Sequence, residues 1–274
     1  MEGLEHTPPR KPDHRGPRIR EIPLRMVIPN LVTVLAVCAG LTGVRLAFEQ
    51  RIELAVALVL LAAFLDGIDG RIARALKATS KFGAETDSLA DIVNFGVAPG
   101  LVLYAFLLDR TGAPGWIAAL LFAIACGLRL ARFNVLAHDP DPTSWRSGYF
   151  VGVPAPAGAM LVLLPAYMSF LGFEQTAAFA WFSCGFTVLV ALLLVSRIPI
   201  WSGKTMGGIR GDLVLPVMLG IVLFVLLLIN YPWHTMTVTA LAYLGFIPLS
   251  WMAYKRREAA EALAAPPADP AEPD

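Results

Sequence analysis

Apolar residues along this chain gather into blocks of about 20, separated by short polar or charged connections. Blocks can be marked at 27–46, 52–76, 83–108, 115–136, 153–171, 176–195, 213–230 and 234–253. About 20 apolar residues in helical form cross roughly 30 Å of hydrocarbon. Backbone groups in lipid have no water to bond, so each block is expected to be a helix. The pattern predicts an all-α fold, a polytopic transmembrane bundle of about eight helices. Three segments follow from it: a basic N-terminal segment (1–25), a transmembrane catalytic domain (26–257) and a disordered tail (258–274). The first segment is rich in Pro and Arg with no apolar run of its own, so it does not read as a cleavable signal peptide; the tail is rich in Ala, Pro and acid. No internal repeat is visible between them.

Composition agrees with the pattern. Hydrophobic residues make up 57% of the chain and charged residues 16%, against about 25% charged in an average soluble domain. With eight spans and a cytoplasmic start, all 22 Lys and Arg except Arg45, Arg51 and Arg110 fall on the inner side. That strong positive-inside bias predicts an integral protein of the cell inner membrane with both termini in the cytoplasm. The formal net charge of +1 conceals this polarity, and nothing in the charge pattern suggests nucleic acid. Cys38, Cys126 and Cys184 stand singly in apolar blocks and the four histidines are scattered, which points away from zinc, disulfides and Cys/His catalysis. Trp116, Trp181, Trp233 and Trp251 lie at or near block ends, as interfacial anchors do.

The chemistry concentrates where the second block ends and the third begins. Asp66 and Asp69 lie on one side of this turn, Asp87 and Asp91 on the other. Four aspartates facing lipid would cost on the order of 10 kcal/mol, so they are expected to face inward and bind something. Asp66, Asp69, Gly70, Ala73, Arg74 and Lys77 follow i, i+3, i+4 steps, as do Gly83, Asp87, Asp91 and Asn94, so each set occupies one helix face. A short turn near residues 78–81 makes the two helices antiparallel neighbours and lets the carboxylates converge. They cannot all stay ionised without cations between them. Oxygen-only ligands point to a hard divalent ion, Mg²⁺ first, with Mn²⁺ or Ca²⁺ as alternatives. Two such ions would make a site suited to phosphoryl chemistry. Gly70, Ala73 and Gly83 leave room for a nucleotide, and the Arg74 fork suits a phosphate oxygen.

The stretch from Asp66 to Asp91, DGIDGRIARALKATSKFGAETDSLAD, resembles the signature of the CDP-alcohol phosphatidyltransferases. Asp66, Asp69, Gly70, Ala73, Arg74, Gly83, Asp87 and Asp91 occupy its eight fixed positions. The resemblance implies that Asp66, Asp69 and Asp87 bind the metals, that Asp91 is the general base and a further metal ligand, and that Asp66, Gly70, Ala73, Arg74 and Gly83 hold CDP-diacylglycerol. Asp91 would take the acceptor's hydroxyl proton as its oxygen attacks the lipid-side phosphorus and CMP leaves. A site at the inner membrane boundary suits a lipid-anchored donor and a water-side acceptor. The resemblance is compatible with a homodimer.

Further stretches, IPNLVTVLAVCAGLTG (28–43), DSLADIVNFGVAPG (87–100), GLRLARFNV (127–135) and YFVGVPAPAGA (149–159), are similar to integral-membrane phosphatidylserine synthases of bacteria and archaea. L-Serine is therefore the expected acceptor. Arg129 and Arg132 are candidates for its carboxylate and Asn94 for its ammonium. Both arginines read equally as membrane anchors, and Asn94 as a helix-packing residue. Glycerol 3-phosphate, inositol phosphate and choline remain alternative acceptors, and a cation-coupled transporter is a reading of another class. The segment Ser196–Asp212 reads either as a lid over the donor diphosphate or as a connector.

Overall fold

The computed structural model describes residues 24–78, 80–137, 149–201 and 211–264; most of the basic N-terminal segment, most of the 196–212 segment and the end of the tail lie outside them. The helices are α1 (Leu24–Phe48), α2 (Ile52–Ala75), α3 (Lys81–Asp91), α4 (Ala98–Phe106), α5 (Ala113–Ala137), α6 (Ala155–Val162), α7 (Leu164–Phe170), α8 (Ala177–Val195), α9 (Gly211–Asn230) and α10 (Pro232–Ala264). A π-helical turn, Ile92–Val97, joins α3 to α4, so this third span is continuous from Lys81 to Phe106. Six stretches among the described residues are long and apolar enough to cross a membrane. To these the fold adds α2, whose 24 residues carry the first two aspartates, and the pair α6–α7. The all-α membrane bundle expected from the apolar blocks is thereby met.

Local chemistry explains the departures from plain helix. Pro165 lacks an N–H to continue the ladder, and the fifth span breaks at Leu163 into α6 and α7. Both pieces are deep in the bundle, with Leu161, Val162, Leu163, Ala166 and Tyr167 fully buried. Pro99 has the same effect on the third span, because it cannot donate to the carbonyl of Phe95. The chain widens ahead of it, and Ala98 N–H bonds Val93 O five residues back.

At the other extreme, the hydrophobic window of α9 is buried nowhere along its length, and its residues are almost all exposed apolar side chains. Such a helix is tenable only with hydrocarbon around it. α10 is anchored better: Trp233, expected at the interface, stacks on Tyr167 and packs against Phe170 with ring centres 4.6 Å apart. The helix continues to Ala264, so residues 258–264, expected in the disordered tail, are helical instead. Lys255 pairs with Glu258 at 3.0 Å, and the Ala, Glu and Leu run that follows has high helix propensity.

A further unforeseen element among the described residues is a short antiparallel ladder, β1 (Tyr149–Val151) against β2 (Pro199–Trp201). Ser250 of α10 fastens it, accepting from Trp201 N–H at 2.7 Å and donating to Pro199 O at 3.1 Å. β2 thus accounts for the start of the 196–212 segment; its remaining residues, 202–210, lie outside the described ones. At the opposite end, Arg110 donates to the Gln175 carbonyl and to Gln175 Oε1, joining the connection before α5 to the one before α8. Loops that should share a membrane face in an alternating eight-span topology do lie together.

Candidate active site

The acidic site is built by the turn between α2 and α3 and closed by α1. α2 ends with Lys77 in the left-handed region (φ +50°), Lys77 N–H bonding Arg74 O and Ala78 N–H bonding Ala73 O. This pairing satisfies the last carbonyls and reverses the chain. Ser80 then caps α3, its hydroxyl accepting from Gly83 N–H at 3.0 Å. With the helices antiparallel, ligand oxygens of Asp66, Asp69 and Asp87 all come within 4.8 Å of one another. Asp66 and Asp69 are buried, at 9% and 2% exposure. Asp91 stands beside this trio, its carboxyl meeting that of Asp66. Among the described residues, no Lys or Arg forms an ion pair with any of the four.

Two neutral donors orient the buried carboxylates. Asn94 Nδ2 donates to Asp66 Oδ1 at 3.1 Å from inside the π turn. Thr33 Oγ1 lies 2.6 Å from Asp69 Oδ2 and 3.2 Å from Pro29 O. Its single proton goes to the shorter contact, because hydrogen bonds to a carboxylate are the stronger kind. With two of its members buried and none of them in an ion pair among the described residues, an all-oxygen trio has the donor set of a hard divalent cation. Asp66, Asp69 and Asp87 could hold one.

Beside the trio lies a cavity of about 240 Å³, lined by Asp69, Gly70, Ala73, Arg74, Gly83 and Asp87 together with Asn30 and Thr33 of α1. A Cβ at Gly70 would meet nothing within 4 Å, so a side chain there would project into free space rather than into protein. A Cβ at Gly83 would lie 3.0 Å from Asn30 Oδ1, which marks how tightly α1 closes over the start of α3. The structure thus brings together every residue expected to hold the donor except Asp66, which faces Asn94. Asn30 and Thr33 escaped the sequence reading. Their one signal is a pair of polar residues three apart inside an apolar block.

The residues expected at an acceptor divide. Arg132 is committed, its guanidinium donating to Val195 O at 2.6 Å and Ser196 O at 3.3 Å, where it caps the last carbonyls of α8. Arg129 is 8% exposed and covers the Phe133 ring at 5.5 Å. It makes no hydrogen bond or ion pair among the described residues, while Asp91 and Tyr243 stand within its electrostatic reach. The amide of Asn94 is engaged with Asp66, and its Oδ1 turns toward α1, where a Cβ on Gly40 would approach within 2.8 Å. Asn134 Nδ2 donates to Ser88 Oγ at 3.1 Å and ties α5 to α3.

Spanning helices around a trio of carboxylates and an adjoining polar cavity are those of an integral membrane protein. The chain belongs to the CDP-alcohol phosphatidyltransferase family, whose model matches residues 26–189. A second model, described as CDP-alcohol phosphatidyltransferase 2, matches residues 212–248. Among similar proteins, one from Mycobacterium leprae is 41% identical over 236 residues, which cover 85% of this chain and 77% of the relative. One from Mycobacterium bovis is 47% identical over 175 residues, 63% of this chain and 60% of the relative. One from Helicobacter pylori is 40% identical over 176 residues, 63% of this chain and 70% of the relative. All three carry the name CDP-diacylglycerol–serine O-phosphatidyltransferase.

Proposed function

We propose that this protein transfers the phosphatidyl group of CDP-diacylglycerol to L-serine, forming phosphatidylserine and CMP in phospholipid synthesis. The observation that carries the reading is the coincidence of the Asp66, Asp69 and Asp87 trio with a cavity lined by Gly70, Ala73, Arg74 and Gly83, in a chain whose relatives are named for this reaction. Family membership also leaves the transporter reading without support.

Asp66, Asp69 and Asp87 hold the divalent metal, Mg²⁺ or Mn²⁺ and by the family resemblance two ions, while Thr33 and Asn94 keep two of those carboxylates in one orientation. When bound, the metal supplies positive charge against the diphosphate and its leaving oxygen. Arg74 reaches the same diphosphate from the cavity wall, and the bare backbone at Gly70 lets the nucleotide approach. Asp91 accepts the proton of the serine hydroxyl as its oxygen forms a bond to the lipid-side phosphorus. The bond from that phosphorus to the oxygen of CMP breaks, and CMP departs with the electron pair. Arg129, buried and in no ion pair among the described residues, takes the serine carboxylate; Arg132 caps α8. The positive-inside charge distribution supports placing this site and both termini on the cytoplasmic side.

The test is CMP release from labelled CDP-diacylglycerol by the full chain in mixed micelles, with serine, ethanolamine, glycerol 3-phosphate, inositol phosphate and choline as acceptors. Serine-dependent release that chelation abolishes and Mg²⁺ or Mn²⁺ restores is the expected result. Release with another alcohol and not with serine overturns the acceptor and leaves the reaction class. No release with any of them overturns both.

A further inference from the structure

A second cavity, of about 290 Å³, lies between α2 and α6, at the residues of α2 that precede the acidic site. Leu60, Ala63 and Phe64 of α2 form one wall, Pro156, Ala159 and Leu163 the other, and Leu228 of α9 and Met236 of α10 complete it. Its lining runs from Val59 to Phe64 on α2 and from Pro156 to Leu163 on the α6 side, so the space is elongated along both, over about 7 to 10 Å. Every lining side chain is apolar. Water there would find no partners, and an unfilled space would cost its walls their dispersion contacts. The cavity suits a hydrocarbon chain.

Position decides whose chain it is. Ala63 precedes Gly70 by two helical turns and Arg74 by three, so all three share one face of α2. Gly70 and Arg74 line the polar cavity beside the carboxylates. A lipid with its phosphate there and its tail in the membrane must run down this face, past Asp66, into the apolar cavity. The lengths agree: Val59, at the far end, is about 16 Å from Gly70 along the helix, and half the hydrocarbon thickness is about 15 Å. α9 gives an independent sign. It is exposed along almost all of its described length yet partly buried at Leu228, where it covers this cavity. We infer that the cavity is the subsite for one acyl chain of the phosphatidyl donor. The inference rests on the reading of CDP-diacylglycerol as donor and adds the place of its tail. A chain moving from lipid into this cavity gains little hydrophobic free energy, because both surroundings are apolar. What the cavity provides is position: a chain held there keeps the reacting phosphorus in register with the carboxylates above it.

The test is photolabelling of the full chain in phosphatidylcholine liposomes by CDP-diacylglycerol that carries a diazirine midway along one acyl chain. Peptide mapping should find the label on cavity residues such as Leu60, Ala159 or Leu163, and excess CDP-dioleoylglycerol should abolish it. Label on other helices alone overturns the inference. So does a photoreactive phosphatidylcholine that labels the same residues whether or not the donor is present, since bulk lipid would then fill the cavity. Kinetics give a second reading through Leu60→Trp, which fills the space about 15 Å from Gly70. Its kcat/KM should fall about tenfold with CDP-dioleoylglycerol, the scale of overpacking, and stay within about twofold of the parent with CDP-dihexanoylglycerol, whose chains stop short of residue 60. A parent-like kcat/KM with the long-chain donor counts against the subsite. Equal losses with both donors mean a damaged bundle, and the photolabelling of the parent then decides. A parent that releases no CMP from either donor overturns the donor reading and the inference with it; failure of the labelling alone leaves that reading standing.

Discussion

Thr33 on α1 donates a 2.6 Å hydrogen bond to Oδ2 of Asp69 on α2, across 36 residues of sequence. The first apolar span, which carries no carboxylate in the site, therefore fixes the orientation of one that does. Partners of this kind around a metal's ligands typically carry 10- to 100-fold in metal affinity. Thr33→Val, which keeps the shape and removes the hydroxyl, should raise the half-saturating Mg²⁺ concentration about tenfold. Serine KM should not move, and Thr33→Ser should restore the parent value. The measurement is a metal titration of CMP release, with a parent-like curve for Thr33→Val as the contrary outcome.

The proposed division of labour between Asp91 and the trio should separate rate from binding. Asp91→Asn cannot accept a proton, so kcat should fall by about 10² or more with donor affinity largely kept. Asp66→Asn should weaken donor binding as well, because it removes one of the oxygens that meet within 4.8 Å. Binding of CDP-diacylglycerol to each variant in the presence of Mg²⁺, compared with turnover, distinguishes them. Equal losses of donor affinity would contradict separate roles.

Gly40 is a packing test of the same site. A Cβ there would lie 2.8 Å from Asn94 Oδ1, and Asn94 is fully buried and tied to Asp66. Gly40→Ala must displace Asn94 or part α1 from the π turn, at a cost of about 1 to 3 kcal/mol for overpacking. Thermal unfolding in detergent should show a lowered Tm, and activity should fall further than in Gly67→Ala. A Cβ at Gly67, which also lies inside a helix of this bundle, meets nothing within 4 Å. If both variants behave alike, the loss is generic helix perturbation rather than the Asn94 contact.

Single cysteines introduced into a background lacking Cys38, Cys126 and Cys184 should map the two faces. Lys81 and Arg197 should be labelled from the cytoplasmic side, and Arg51, Gly112 and Gln175 from the outer side. Labelling of Gln175 and Arg197 from one side would break the alternation that the Arg110–Gln175 and Arg132–Ser196 contacts support.

Periodicity and charge alone determined that this chain is a helical membrane protein and where its carboxylates would gather. Both are local properties: a run of about 20 apolar residues has one stable form in lipid, and i, i+3, i+4 spacing puts residues on one face whatever surrounds the helix. Asp66, Asp69, Asp87 and Asp91 were legible for that reason. Contacts between distant segments were not. Arg129 and Arg132 are equivalent in sequence, three residues apart on one helix, and only the position of the α8 C-terminus commits Arg132 to carbonyls while Arg129, among the described residues, makes no hydrogen bond and covers the Phe133 ring. Thr33 looks like an ordinary polar residue in an apolar span. Its significance depends on which helix packs opposite, and that is decided by the closure of the whole bundle, in which Pro99 and Pro165 interrupt two spans and Ser250 anchors the β ladder.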